Sequence, residues 1–132
     1  MAPPVRVLAV HHNRILREGI CVLIAMHPNL ELVGSVATAE HAVRLFGELR
    51  PDLTLMDLEL PSGGGFDALY RVLQINPAAW VIALITDEWD ARCRQAADTG
   101  ATAVLVNDRI GRALIPLIRA ERHRKKPVPE NR

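Results

Sequence analysis

Five consecutive residues constrain this chain more than any others. Leu53-Thr54-Leu55-Met56-Asp57 is an apolar run that closes on a carboxylate, and Leu58-Glu59-Leu60-Pro61 and the glycines Gly63, Gly64 and Gly65 follow it. A strand buried on both faces reads as such a near-continuous apolar run and belongs to a parallel sheet. In open α/β sheets the ligand crevice lies at the carboxyl ends of the strands. The run therefore sets Asp57 at the address where such folds do their chemistry.

The rest of the chain alternates between strand-like and helix-like segments. Val5 to Val10 reads as a first strand. Asn13 to Met26 reads as a helix, with Ile15, Ile20, Leu23 and Ile24 at helical spacing and His27-Pro28 as its stop. Leu30 to Val36 is a second strand. Thr38 is suited to cap a helix that runs to Leu49 and closes at Arg50-Pro51. After the third strand, a helix is expected from Phe66 to Ile75, ended by Asn76-Pro77. Trp80 to Ile85 is a fourth, strongly apolar strand. A helix from Asp87 to Thr99 closes on Gly100. Ala103 to Val106 is a short fifth strand, and a last helix is expected from about Gly111 to Lys125. Pro116 cannot donate an amide hydrogen, so that helix is expected to start late, near Arg112, or to kink. Five βα units of this length imply a parallel sheet with helices on both faces. The domain is expected to span residues 1–122, with 123–132 as a basic, proline-containing tail.

Composition narrows the function classes. A chain of 132 residues holds one domain with a proper core, and 49% hydrophobic content argues against disorder. A net charge of +1 gives no global attraction to nucleic acid or membrane. Cys21 and Cys93 are too few for a disulfide scaffold and fit a reduced, cytoplasmic protein. No stretch reaches the roughly 18 apolar residues needed to span a bilayer, and Met1-Ala2-Pro3-Pro4 has no signal-peptide pattern.

In this order the residues resemble a bacterial response-regulator receiver domain of the NarL/LuxR type. The similarity covers about residues 5 to 122. It is carried by Arg17-Glu18-Gly19-Ile20, Arg50-Pro51-Asp52, Met56-Asp57-Leu58-Glu59-Leu60-Pro61 with Gly65, Thr86, and Gly100-Ala101. The resemblance implies a flavodoxin-like, doubly wound five-stranded parallel sheet of order 2-1-3-4-5 with five helices. It also implies a phosphoryl switch, in which a histidine kinase passes a phosphoryl group to the aspartate at position 57. Family members hold Mg²⁺ with an acidic pair after the first strand. A lysine after the fifth strand anchors the phosphoryl oxygens, and a Thr or Ser with an aromatic residue on the fifth strand relays the change.

The chain departs from that pattern at most of its charged positions. His11 and His12 replace the acidic pair, Asn107 replaces the lysine and Val104 replaces the aromatic residue, while Asp57 and Thr86 remain. Fourteen of the 16 basic residues are arginine, and the only lysines, Lys125 and Lys126, lie in the tail. Arg14 is the nearest replacement cation in sequence. Phosphoryl transfer depends on positioning and charge neutralisation, and Mg²⁺ wants oxygen ligands. Mg²⁺ binding is therefore expected to be weak or absent, and Mg²⁺-driven phosphorylation of Asp57 poor.

Each candidate residue has an ordinary reading beside the functional one. Asp57 caps the following loop or is a phosphoacceptor. His11 and His12 have drifted without a role, pair with Asp57 as imidazolium, or form a transition-metal site with it. Gly63 to Gly65 make a turn or cradle a phosphate. Thr86 is a switch hydroxyl or an ordinary strand-end threonine. The run Arg119, Arg122, Arg124, Lys125, Lys126 is a solvated helix end, or the linker that in longer relatives leads to a DNA-binding domain absent from these residues. Trp80 and Trp89 read as packing residues. No nucleophile–base pair points to an enzyme. The expected function is an atypical receiver working by protein contact, with a histidine kinase or a second copy as partner. Its contact surfaces would be the first and last helices, or the face of the fourth helix, fifth strand and fifth helix. Ile110, Leu114, Leu117 and Ile118 are candidates for a dimer contact or for the core. The alternatives are a phosphorelay acceptor at Asp57 and a small-ligand-binding domain at the same crevice.

Overall fold

A computed structural model describes residues 3–124. Its elements follow in the order β1 (Val5–Val10), α1 (Arg14–Ala25), β2 (Leu30–Val36), α2 (Ala39–Leu49), β3 (Leu53–Asp57), α3 (Gly64–Ile75), β4 (Trp80–Ile85), α4 (Arg92–Thr99), β5 (Ala103–Val106) and α5 (Ile110–Arg124). All strand pairs are parallel, and the sheet order is β2-β1-β3-β4-β5. The order reverses between β1 and β3, so the topological switch point falls beside Asp57.

Period-two alternation divides the strand residues between two cores. Leu8, Val10, Met56, Val81 and Ile85 point to one face, where Phe46 of α2, Leu69 and Val72 of α3 and Ala96 of α4 cover them. Val7, Ala9, Leu55, Ile82 and Leu84 point to the other face, under Ile20 and Ile24 of α1 and Leu114 and Ile118 of α5. Every residue of β3 and β4 is buried, as expected for central strands of a sheet covered on both sides. Asn13 and Thr38 cap α1 and α2 through side-chain oxygens that accept the amides of Leu16 and His41. Among the described residues no helix is long and apolar enough to cross a membrane.

Three sequence expectations need correction. The fourth helix begins at Arg92, not at Asp87. Asp87 and Asp90 turn their carboxylates onto the amides of Trp89 and Arg92, two residues on, and such local bonds hold the backbone out of a helix. Trp89 in that turn is 86% exposed and is no core residue, whereas Trp80 is buried. The fifth helix neither starts late nor breaks at Pro116. Ile110, Leu114 and Ile118, at i, i+4 and i+8, bury one face on both sides of the exposed proline and anchor the helix across it. Those three residues therefore belong to the core rather than to a dimer contact, with Leu117 half-buried beside them. The tail residues Lys125, Lys126 and Pro127 lie outside the described residues.

Candidate functional site

The crevice is built from the ends of four strands. Asp57 is the last residue of β3. His11 and His12 directly follow β1, Thr86 follows β4 and Asn107 follows β5. The loop after β3 turns tightly: Pro61–Gly63 is a 3₁₀ turn, with Ser62 at φ 59° and Gly63 at φ 72°. Of the three glycines Gly63 alone takes part in the turn, and Gly64 and Gly65 open α3, two residues before the expected start at Phe66. Gly65 lets α3 start against the strand end, because a Cβ there would lie 2.6 Å from Leu58 Cα.

Asp57 is fully buried and both of its oxygens are occupied. Oδ1 accepts the Glu59 amide at 2.7 Å. Oδ2 accepts the His12 amide at 3.0 Å and lies 2.5 Å from His12 Nδ1. A carboxylate only accepts, so the hydrogen of that last contact sits on Nδ1 of His12. Burying a carboxylate is costly unless such donors surround it. His12 presents its other edge to solvent, its side chain being 45% exposed.

His11 is buried as deeply as Asp57. Its ring stacks on His12 with centroids 5.3 Å apart and planes at 19°. His11 Nδ1 accepts the Asn13 amide at 3.1 Å and lies 3.6 Å from Asp57 Oδ2. An Nδ1 that accepts leaves the hydrogen on Nε2, which donates to Asn107 Oδ1 at 3.3 Å. The chain of donors then continues in one direction. Asn107 Nδ2 donates to Thr86 Oγ1 at 3.2 Å, and Thr86 Oγ1 donates to Glu59 Oε1 at 2.7 Å. The same Glu59 oxygen accepts the Thr86 amide at 2.9 Å. One network thus ties the ends of β1, β5 and β4 to the loop after β3.

Glu59 and Arg92 are the participants that sequence reasoning did not single out. Arg92 lies 3.6 Å from Glu59 Oε2 and forms a fork on Asp90, at 2.7 Å to Oδ2 and 3.1 Å to Oδ1. That hydrogen bonding from Arg92 holds the Asp90 carboxyl down at about 2. It also holds the Arg92 guanidinium above its ordinary value, with the charges of Asp90, Glu59 and Asp57 adding to the effect. Glu59 could have been suspected from its place two residues after Asp57. Arg92 gave no comparable signal, because the helix start that positions it falls five residues later than the pattern suggested. Arg14 is not a substitute cation: it pairs with Glu18 along the exposed face of α1. The side chains of adjacent residues often diverge, yet those of His11 and His12 both meet Asp57. Val104 stands apart from the polar network, half-buried against the core that α3 and α4 cover.

A parallel 2-1-3-4-5 sheet with five helices is the flavodoxin-like doubly wound fold. Residues 7–115 match the response regulator receiver domain, and the chain belongs to that family, the receiving module of two-component signalling. The response regulator GacA of Pseudomonas viridiflava is 30% identical over 118 residues, 89% of this chain and 54% of GacA. A LuxR-family two-component response regulator from Aurantimonas sp. SI85-9A1 superposes with a TM-score of 0.85 at 28% identity, over 97% of this chain and 91% of that one. The response regulator domain of Thermotoga maritima CheB gives a TM-score of 0.81 at 26% identity, over 94% and 99%. The chain spans about half the length of the curated relatives it matches.

Proposed function

We propose that this receiver signals by protein–protein contact from a fixed pocket state, with little or no Mg²⁺-dependent phosphorylation of Asp57. The observation that carries the reading is the occupancy of the Asp57 carboxylate. Both oxygens already accept hydrogen bonds, and one of them lies 2.5 Å from an imidazole nitrogen. Bonds to a charged acceptor contribute about 1.5–3 kcal/mol each, and each one draws on the electron density that an attacking oxygen would have to offer.

The donors present do not fit Mg²⁺. It is a hard ion that takes carboxylates, carbonyls and water, and two imidazoles beside one carboxylate are a poor set for it. Asn107, at the position of the family's lysine, supplies no cation, and its amide is committed to Thr86 and His11. The Thr86 hydroxyl is likewise held by Glu59. With Val104 in place of an aromatic residue, the usual hydroxyl–aromatic relay lacks its second member. The His12 hydrogen on Asp57 supplies part of the neutralisation that a cation would give, so the domain rests in one conformation. It acts as a signalling module, not a catalyst, and its partner is a histidine kinase or a second copy. The contact surface is the face of α1 and α5, or that of α4, β5 and α5. In a longer chain, a DNA-binding domain would carry the transcriptional output.

A second reading, phosphorelay acceptance at Asp57, is favoured by one feature: His12 is the exposed member of the pair, its side chain being 45% exposed. Incubation with acetyl phosphate and Mg²⁺, followed on a phosphate-affinity gel, separates the two. The fixed-state reading predicts no shifted band beyond that of Asp57→Asn. Prompt, stoichiometric labelling that Asp57→Asn abolishes would overturn it.

A further inference from the structure

We infer that His11, His12 and Asp57 form a binding site for a borderline divalent metal of the Zn²⁺ class. One ligand atom from each of the three lies within 4.8 Å of the other two. The inference concerns the same pocket as the fixed-state reading, but the two fail separately: phosphoryl labelling tests one, and metal titration tests the other.

Two imidazole nitrogens and one carboxylate oxygen are a common donor set for Zn²⁺, with the fourth tetrahedral position left to water. Bonds of about 2.0–2.1 Å set tetrahedral ligand atoms roughly 3.3 Å apart. His11 Nδ1 and Asp57 Oδ2, at 3.6 Å, are already near that spacing. His12 Nδ1, at 2.5 Å from the same oxygen, must retreat by somewhat under an ångström. Its ring, stacked on that of His11 at 19°, must also turn out of the stack to bring the metal into both ring planes, and it is the more exposed of the two. The metal then takes the place of the hydrogen that now joins His12 to Asp57. That hydrogen leaves Nδ1, and the solvent-facing Nε2 can carry it in the neutral ring.

Orientation is the stronger argument. A metal-bound histidine almost always donates its other ring N–H to a fixed acceptor, which sets the tautomer. His11 already does this: Nε2 donates to Asn107 Oδ1, which leaves Nδ1 without a hydrogen, 3.6 Å from Asp57 Oδ2. Asn107 is itself held by Thr86, and Thr86 by Glu59. The polar network thus works as the outer shell of a metal site. Its competitor is the Asn13 amide, which now occupies the His11 lone pair at 3.1 Å and which a metal would displace. Two of the three ligands are fully buried, so the site is held by the sheet ends and not by mobile surface chains.

The test is calorimetric titration of Zn²⁺ into the full chain, free of any affinity tag and with its thiols kept reduced. The expected result is one tight site per chain that excess Mg²⁺ does not compete away. In His12→Ala and in Asp57→Asn the dissociation constant should rise at least about tenfold, and in Asn107→Ala about ten- to a hundredfold, as for loss of an outer-shell partner. Circular dichroism of each variant shows whether it is folded. Co²⁺ bound to the wild type should also give the strong visible absorption of a four-coordinate ion, and His12→Ala should lose it. Absence of heat in the wild type, or equal heats in the wild type and the folded variants, would overturn the site.

Discussion

Replacing Asp57 by Asn should destabilise the domain. The carboxylate accepts the Glu59 amide on one oxygen and two His12 hydrogens on the other. An asparagine of the same shape has one acceptor oxygen, and its NH₂ must face at least one of those donors. At least one buried donor is left without a partner, and the remaining bonds lose the charge that strengthens them. At about 1.5–3 kcal/mol for a bond to a charged group, the total is about 2–4 kcal/mol, a large part of a typical 5–15 kcal/mol stability. For a domain of this size, at about 4 °C per kcal/mol, Tm should fall by about 8–16 °C. Urea unfolding followed by circular dichroism measures the change, and an unaltered m-value shows that it lies in stability and not in the unfolded ensemble. The sign is the informative part. Where an aspartate sits among other carboxylates, removing its charge relieves repulsion and stabilises the protein. An Asp57→Asn variant as stable as the wild type, or more stable, would refute the view that imidazole and amide donors satisfy this carboxylate.

Other consequences follow from separate parts of the structure. Gly65→Ala should cost about 3 kcal/mol in urea unfolding, because its Cβ meets the backbone of Leu58, which cannot yield as a side chain can. The Asp90 carboxyl should titrate near 2 by NMR, and Arg92→Ala should return it towards the ordinary carboxylate range. Because the folded value is depressed, the stability it confers is complete above the ordinary aspartate value and is lost as the pH falls towards 2. Burial pushes the Cys93 thiol up, with Asp90 and Asp87 adding to the shift. Thiolate is the reactive form, so Cys93 should react with a disulfide reagent more slowly at pH 8 than a free cysteine does, and the difference should narrow as the pH rises.

Much of the fold could be read from local patterns, and the failures have local causes. The buried runs Leu53–Asp57 and Trp80–Ile85 announced the central strands, because a strand covered on both faces has no polar alternation. The site was legible as an address: the ends of β1, β3, β4 and β5 delivered His11, His12, Asp57, Thr86 and Asn107 to one crevice. Their connections were not legible. Whether two adjacent histidines diverge or stack depends on backbone angles just after β1, which residue identity does not set. Asp87 and Asp90 displaced the start of α4 by bonding their own neighbours, a competition that apolar periodicity does not register. That displacement also concealed Arg92. Pro116 misled in the opposite direction: its local penalty was real, but the buried Ile110, Leu114 and Ile118 outweighed it.

The hydrogen between His12 and Asp57 holds the pocket in its fixed state, and a long-range ¹H–¹⁵N spectrum of the histidine rings observes it. Recorded with and without millimolar Mg²⁺, it should show a hydrogen on Nδ1 of His12, the Nε2–H form of His11, and no change on adding Mg²⁺. A His12 ring with a bare Nδ1, or ring signals that move as Mg²⁺ enters the pocket, would contradict the account.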